Sequence, residues 1–351
     1  MSQSVEQFIE AAIAVGQKAE SAYPSLWEAD AVPDALWREF AERRLFALSA
    51  PTEFGGEGKT IGEIARVGRA LARAAGVQGL ASVWLSHNML ADWILGHFAN
   101  PAQQAEWWPR IASGKATLAF AVSEPGAGAH PKRLTTTATA DGDGFRLNGR
   151  KAYVTNGPIA AVFAIVAIVS ETEDGRKSYG AFLVPRDAPG LRILPSEHVD
   201  YLLPSGHASL ALEDVYVPAT ARLANAADVY PTIVKPLRDH EDAAGAWTRL
   251  GAYERLSKAF AAEPETAVFA GGVAARLLAV EAMLEREGPD DLLAARAIFQ
   301  DVAREVQAAV EADPAALGPG DAALARDLAK ILGIARYAVD ARFAAFGRRI
   351  A

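Results

Sequence analysis

Apolar residues recur at helical spacing through the first third of the chain. Val5, Phe8, Ile9, Ala12 and Ile13 trace one face of a first helix. Pro33-Asp34 opens a second over Ala35 to Arg44, with Leu36, Trp37, Phe40 and Leu45 on one side. Pro51 to Gly58 is too rich in glycine to be helical. Thr60 and Glu63 form a capping box for a helix carrying Ile61, Ile64, Val67 and Leu71. Gly79 to Phe98 is apolar on most sides, as a central helix is, and Asn100-Pro101 stops it before a short helix over Ala102 to Ile111.

At Leu118 the period changes to two. Leu118 to Val122, Thr135 to Ala140, Phe145 to Asn148 and Lys151 to Thr155 read as strands. Turn signals separate them at Ser123 to Gly126, Asp141 to Gly144, Asn148-Gly149 and Asn156-Gly157. This predicts an antiparallel meander with a glycine-rich loop, Pro125 to Gly128, after its first strand. Ala161 to Val169, Tyr179 to Val184, Leu191 to Leu194 and Ala208 to Val217 follow. Helical spacing returns near 226, and Pro264, Glu287 to Asp290 and Pro314 to Gly320 divide the rest into about four helices, one of them running from Asp321 to Phe346. Helices and strands are segregated, which predicts an α+β multidomain protein. The expected domains are an N-terminal helical bundle (1–117), a central antiparallel β-barrel or sandwich (118–225) and a shortened C-terminal helical bundle (226–351).

Composition narrows the function. The net charge of −8 offers no basic surface for nucleic acid, and the lack of cysteine excludes thiolate chemistry and disulfides. The six histidines show no metal-ligand spacing, and no nucleophile elbow or phosphate loop is present. The N-terminus reads as an amphipathic helix rather than a leader. The apolar run Ala160 to Val169 is about half of what a membrane helix needs. The expectation is a cytoplasmic protein without a membrane span.

Four motifs in order carry a resemblance. They are Pro51-Thr-Glu-Phe-Gly-Gly-Glu-Gly58, the stretch from Gln103 through Trp107-Trp108-Pro109 to Gly114, Ala121-Val-Ser-Glu-Pro-Gly-Ala-Gly128, and Leu147-Asn-Gly-Arg-Lys-Ala-Tyr-Val-Thr-Asn-Gly157. Leu212-Glu-Asp-Val-Tyr-Val-Pro218 is a later echo. Together they resemble the acyl-CoA dehydrogenase family of flavoenzymes, most strongly over 47–222. The resemblance implies FAD, an acyl-CoA substrate, fatty acid metabolism, a homo- or hetero-oligomer and an electron-transfer acceptor. It places Ser123 at a flavin-binding hydroxyl, with Val122 and Gly128 as further cofactor contacts on its loop. Tyr153 stands for an aromatic at the ring's edge, and Thr155 for a donor to flavin N5. Phe120 would line the acyl pocket, with Ala129 and Ser205 at substrate-binding positions.

The chain also departs from that pattern. Ala129-His130 replaces the family's Ser-Asp, and in Asp200 to Ser205 only Ser205 survives of L-G-x-R-x-S. The family's arginine turn for the dinucleotide has no match in Lys258 to Glu265. Its usual catalytic glutamate has no counterpart. Some members carry the base on the first helix of the C-terminal bundle, where this chain has Leu237-Arg-Asp-His-Glu-Asp242. Glu241 and Asp239 are the candidate bases, and a solvated charge cluster at a helix start is the alternative. Two functions follow. One is FAD-dependent α,β-dehydrogenation of an acyl-CoA thioester, in which a carboxylate takes the α-proton and hydride goes to FAD. The other is a catalytically degenerate homologue serving as a partner subunit or as an acyl-CoA- or flavin-binding module.

Overall fold

The computed structural model describes residues 3–196, 200–223, 228–262, 264–286, 288–333 and 336–350. Five helices come first: α1 (Val5–Ala22), α2 (Asp34–Glu42), α3 (Ile61–Ala75), α4 (Gln78–Ala91) and α5 (Pro101–Ala112). The capping box expected at Thr60 is present, since Thr60 Oγ1 accepts from the Glu63 N–H and Glu63 accepts from the Thr60 N–H. Ser4 with Gln7 and Asn100 with Gln103 close two more helix starts in the same way. The buried α4 holds Leu80, Trp84 and Leu90 in the core and continues as a single π-type turn, Asp92–Gly96.

Seven strands follow: β1 (Leu118–Ala121), β2 (Thr137–Asp141), β3 (Gly144–Thr155), β4 (Val162–Glu171), β5 (Lys177–Pro185), β6 (Leu191–Pro195) and β7 (His207–Pro218). They form one curled mixed sheet in the order β1-β4-β2-β3-β7-β6, with β5 on the other edge of β4. This corrects the all-antiparallel meander. β1 pairs in parallel with β4, Leu118 opposite Val162, and β2 touches β4 in parallel at Thr137 and Ile168. The glycine-rich loop therefore begins a crossover rather than a hairpin. The Asp141–Gly144 turn does join β2 to β3 as expected.

The turn expected at Asn148-Gly149 is instead a bulge inside one long strand. β7 runs past it, pairing Leu147 with Val215 and Gly149 with Leu212. Asn148 accepts from the Asp214 N–H at 2.8 Å, which anchors the irregularity.

β4 is apolar from Val162 to Val169 because both of its faces are covered there. Phe163, Ile165 and Ala167 pack inside the curled sheet with Phe182, Leu212 and Val215. Val162, Ala164, Val166 and Ile168 face the helical core. The run that was too short for a bilayer is thus a doubly buried strand.

The chain ends in five helices: α6 (Lys235–Phe260), α7 (Ala267–Arg286), α8 (Pro289–Ala312), α9 (Pro319–Gly333) and α10 (Arg336–Ile350). The helix expected from Asp321 to Phe346 is helical over Pro319–Gly333 and Arg336–Ile350, with 334–335 outside the described residues. Arg69 of α3 binds Glu254 of α6 and Glu281 of α7, joining the two helical regions. Pro264–Arg286 is apolar and long enough, by length and composition, to cross a membrane, with a mean hydropathy of 1.7. Its Ala270, Val273, Leu277, Val280 and Leu284 are buried, while Val268 and Leu278 are 89% and 69% exposed.

Candidate active site

The loop after β1 is tied to β3 by a buried ion pair. Lys151 Nζ lies 2.9 Å from Glu124 Oε1 and 3.1 Å from the Val122 carbonyl. Glu124 also accepts from the Thr135 N–H at 2.7 Å, the Thr135 hydroxyl at 2.8 Å and the Thr136 N–H at 3.0 Å. Burial opposes its charge, but Lys151 and the Thr136 hydrogen bonds prevail and hold its carboxyl down at about 2. The Ala152 N–H donates to the Ser123 carbonyl at 2.9 Å. Val122 and Ser123 are thereby held beside the strand that carries Tyr153 and Thr155. Gly126 and Gly128 have φ of +69° and +56°, which favours glycine, and Gly128 exchanges two backbone hydrogen bonds with Glu124. Ala129 is exposed, and its carbonyl accepts from the Tyr230 hydroxyl at 2.6 Å.

A cleft of about 630 Å³ lies between this sheet, α4 and α6. Tyr153, with φ of +57° and a side chain left 43% exposed, lines one wall with Thr155 and His207. Gln78, Ser82, Leu85 and Met89 line it from α4 at helical spacing. Arg238, Glu241, Gly245 and Thr248 do the same from α6. Asp200, Tyr201 and Leu202 close one end. That segment sits on Gly79, where an added Cβ would lie 2.1 Å from the Leu202 carbonyl oxygen. Asp327 holds it too, accepting from the Leu202 N–H at 3.0 Å.

Glu241 is the titratable group aimed into the cleft. It is exposed on the cleft wall, with Arg238 and Asp242 beside it. Partial loss of hydration inside the cleft raises its pKa to about 7, against the pull of Arg238 and with help from Asp242. Across the cleft, His207 Nδ1 sits 2.9 Å from the Ser205 carbonyl, so Nδ1 is assigned the proton. Nε2 is then an acceptor, 3.4 Å from the Thr155 hydroxyl. Burial lowers the His207 pKa and keeps the ring neutral. Gln78 donates to Thr248 Oγ1 at 2.9 Å, while its buried Oε1 has no partner.

Of the residues singled out in the sequence, the cleft brings together Tyr153, Thr155 and Glu241. Asp239 faces elsewhere: it pairs with Arg342 and lines a second cavity of about 670 Å³ between α6, α8 and α10. Ser205 is buried behind His207 rather than on the cleft wall. Phe120 is half-buried against the helical core. Val122, Ser123, Gly128 and Ala129 belong to the supporting loop. Sequence reasoning missed His207, Gln78 and Arg249. Arg249 is a charged residue inside an apolar helical stretch, and that was the one available signal.

The comparisons with known proteins agree with this architecture. Residues 1–115 match the model of the acyl-CoA dehydrogenase N-terminal domain, and residues 119–215 that of the middle domain. The acyl-CoA dehydrogenase FadE12 of Mycobacterium tuberculosis is 32% identical over 186 residues, which is 53% of this chain and 47% of the relative. The caffeyl-CoA reductase-Etf complex subunit CarC of Acetobacterium woodii is 30% identical over 211 residues, 60% of this chain and 55% of that one. The chain thus spans about half the length of the curated relatives it matches. Butyryl-CoA dehydrogenase from Megasphaera elsdenii superposes with a TM-score of 0.84 at 21% identity, covering 94% of each chain. The FAD complex of PigA gives 0.79 at 20% identity, covering 94% of this chain and 93% of that one. With the two domain models together spanning more than half of its residues, this chain belongs to the acyl-CoA dehydrogenase family.

Proposed function

We propose that the protein is a flavin-dependent α,β-dehydrogenase of acyl thioesters acting in the cytoplasm, with Glu241 as its base. One observation carries this: a carboxyl group with a pKa raised to about 7 shares a cleft with Tyr153 and Thr155. A pKa near the working pH suits a group that must take a proton in the transition state.

FAD is the family's cofactor, and the cleft suits its ring. Its volume falls within the usual range of roughly 300–1,000 Å³ for ligand pockets. Tyr153 offers an open aromatic face, Thr155 a hydroxyl, Leu85 and Met89 apolar contact, and Gln78 Oε1 an unused acceptor. Tyr153 and Thr155 would hold the ring's edge. When bound, FAD would supply the acceptor for the hydride, with its electron pair, that leaves the β-carbon.

The chain's own part is binding and proton transfer. Glu241 takes the α-proton, and the pair freed at the α-carbon becomes the new α,β double bond. Neutral His207 orients the Thr155 hydroxyl through Nε2. The Tyr201–Leu202 segment and α4 limit the entry of water from that end of the cleft. The electrons then pass to a separate electron-transfer acceptor.

α7 completes the reading. Val268, Gly271, Gly272, Ala275 and Leu278 form an exposed apolar face that a second copy of the chain would cover. The deciding experiment is an absorbance scan of the purified protein before and after an acyl-CoA is added. Flavin bands that bleach support the reading. A protein that stays colourless, even when produced with excess FAD, overturns it.

A further inference from the structure

Arg249 is a buried charged residue of the site that the reaction above leaves unused. It is 8% exposed, and burial pulls its pKa down to about 10. Among the described residues it makes no ion pair. Its Nη2 donates to the Asp242 carbonyl at 3.1 Å, and its Nε has no partner. Its guanidinium lies over the Phe299 ring at 5.8 Å, and with no carboxylate paired to it the charge is costly to hold there. The fold nevertheless makes room for it: a Cβ on Gly245 would lie 3.1 Å from Nη1.

The surroundings do not supply the missing charge. Arg238, Arg296 and Arg342 approach a single carboxylate, Asp242, at 3.5, 3.4 and 3.4 Å. Asp239 is engaged by Arg342. Among the described residues, Arg238, Arg249, Arg296 and Arg342 thus cluster around Asp239 and Asp242, with Glu241 beside Arg238 as the third carboxylate. Arg249, Arg296 and Asp242 line both the cleft that holds Glu241 and the second cavity, so they form the wall between them. The second cavity combines charged residues with an apolar side made by Leu292, Phe299 and Val339.

We infer that the acyl group taken here ends in a carboxylate, and that Arg249 binds it at the wall beyond Glu241. The inference rests on the dehydrogenase reading for the identity of the substrate as a thioester. A planar guanidinium with free donors matches a carboxylate in two-point geometry, and the apolar flanks suit the methylene chain between the two ends. The substrate class is therefore the monothioester of a dicarboxylic acid, and Arg249 is its specificity-determining residue.

The test is calorimetric titration of the flavin-loaded full chain with pantetheine thioesters. Glutaryl, adipyl and suberyl thioesters are compared with pentanoyl, hexanoyl and octanoyl, and flavin bleaching is followed in parallel. One carboxyl-ended thioester should bind at least about tenfold tighter than its methyl-ended match. R249Q should bring that ratio close to one, and R249K should restore part of it. R249Q should melt no lower than the parent, because it removes a buried unpaired charge. E241Q should keep the preference while losing bleaching. A ratio near one in the parent, or one that R249Q leaves unchanged, overturns the inference even if every thioester bleaches the flavin. Competition by inorganic phosphate without any preference for the carboxyl end also overturns it, and assigns Arg249 to a phosphate. A preference that depends on Arg249 with no bleaching at all instead overturns the dehydrogenase reading and leaves the carboxylate site standing.

Discussion

Lys151 and Glu124 form an ion pair sealed from solvent, the lysine side chain 0% and the glutamate 3% exposed, with 2.9 Å between Nζ and Oε1. The pair fastens the glycine-bearing loop to the strand that carries Tyr153 and Thr155. Removing one partner strands the other charge in the interior. E124Q or K151M should therefore cost about 3–5 kcal/mol of stability, read as a lower denaturation midpoint. The double variant E124Q/K151M should lose less than the two single losses combined. The folded pKa of Glu124, about 2, lies below its ordinary 4.5. Its stabilisation is then complete above about 4.5 and disappears as pH falls toward 2, which acid titration followed by circular dichroism checks.

Glu241 shows the opposite shift, from 4.5 to about 7. Turnover should rise with pH and level off above about 7, as the carboxylate form fills. E241Q should lower turnover roughly 10²–10⁴-fold while the flavin stays bound. A raised folded value favours the protonated folded state below 4.5, and that advantage is lost as pH climbs through 7. E241Q should accordingly be at least as stable as the parent at pH 8, measured by thermal melting.

Local signals were the legible part of the sequence. The Thr60–Glu63 box, the Asp141–Gly144 turn and the change of period at Leu118 each depend on residues a few positions apart. The partner of β1 depends on residues more than forty positions away, and nothing in Leu118–Ala121 distinguishes parallel from antiparallel pairing. Asn148-Gly149 has turn chemistry, but β7 pairs on both sides of it and makes it a bulge. Glu241 and Asp239 are two residues apart, roughly 200° around a helix. The sequence offered both, and only the packing of α6 turns one into the cleft and the other away. Leu85 and Met89 looked like core residues because one side of a cleft has the same apolar helical pattern as a core.

Gly79 is the seat of the segment that closes the cleft. A Cβ there would meet the Leu202 and Leu203 carbonyl oxygens at 2.1 and 2.4 Å. G79A should displace residues 200–203 at a cost of about 1–3 kcal/mol. Thioester binding should weaken along with the melting temperature, whereas a distant surface Gly→Ala change such as G175A should leave binding unaltered.

The bare face of α7 gives a simple assembly test. V268E/L278E should shift the sedimenting species of the purified protein to single chains, because two carboxylates would be forced into a dry contact. The same variant should keep the secondary structure of the parent by circular dichroism, since neither side chain supports the core.

The two walls of the cleft come from distant parts of the chain, Thr155 at the end of a strand and Glu241 on the helix that opens the C-terminal bundle. Whatever lodges between them acts as a strut joining sheet to bundle. Ligand binding there adds to the direct ties between the regions, such as Asp327 on Leu202 and Arg69 on Glu254, so a bound molecule should also raise the protein's stability.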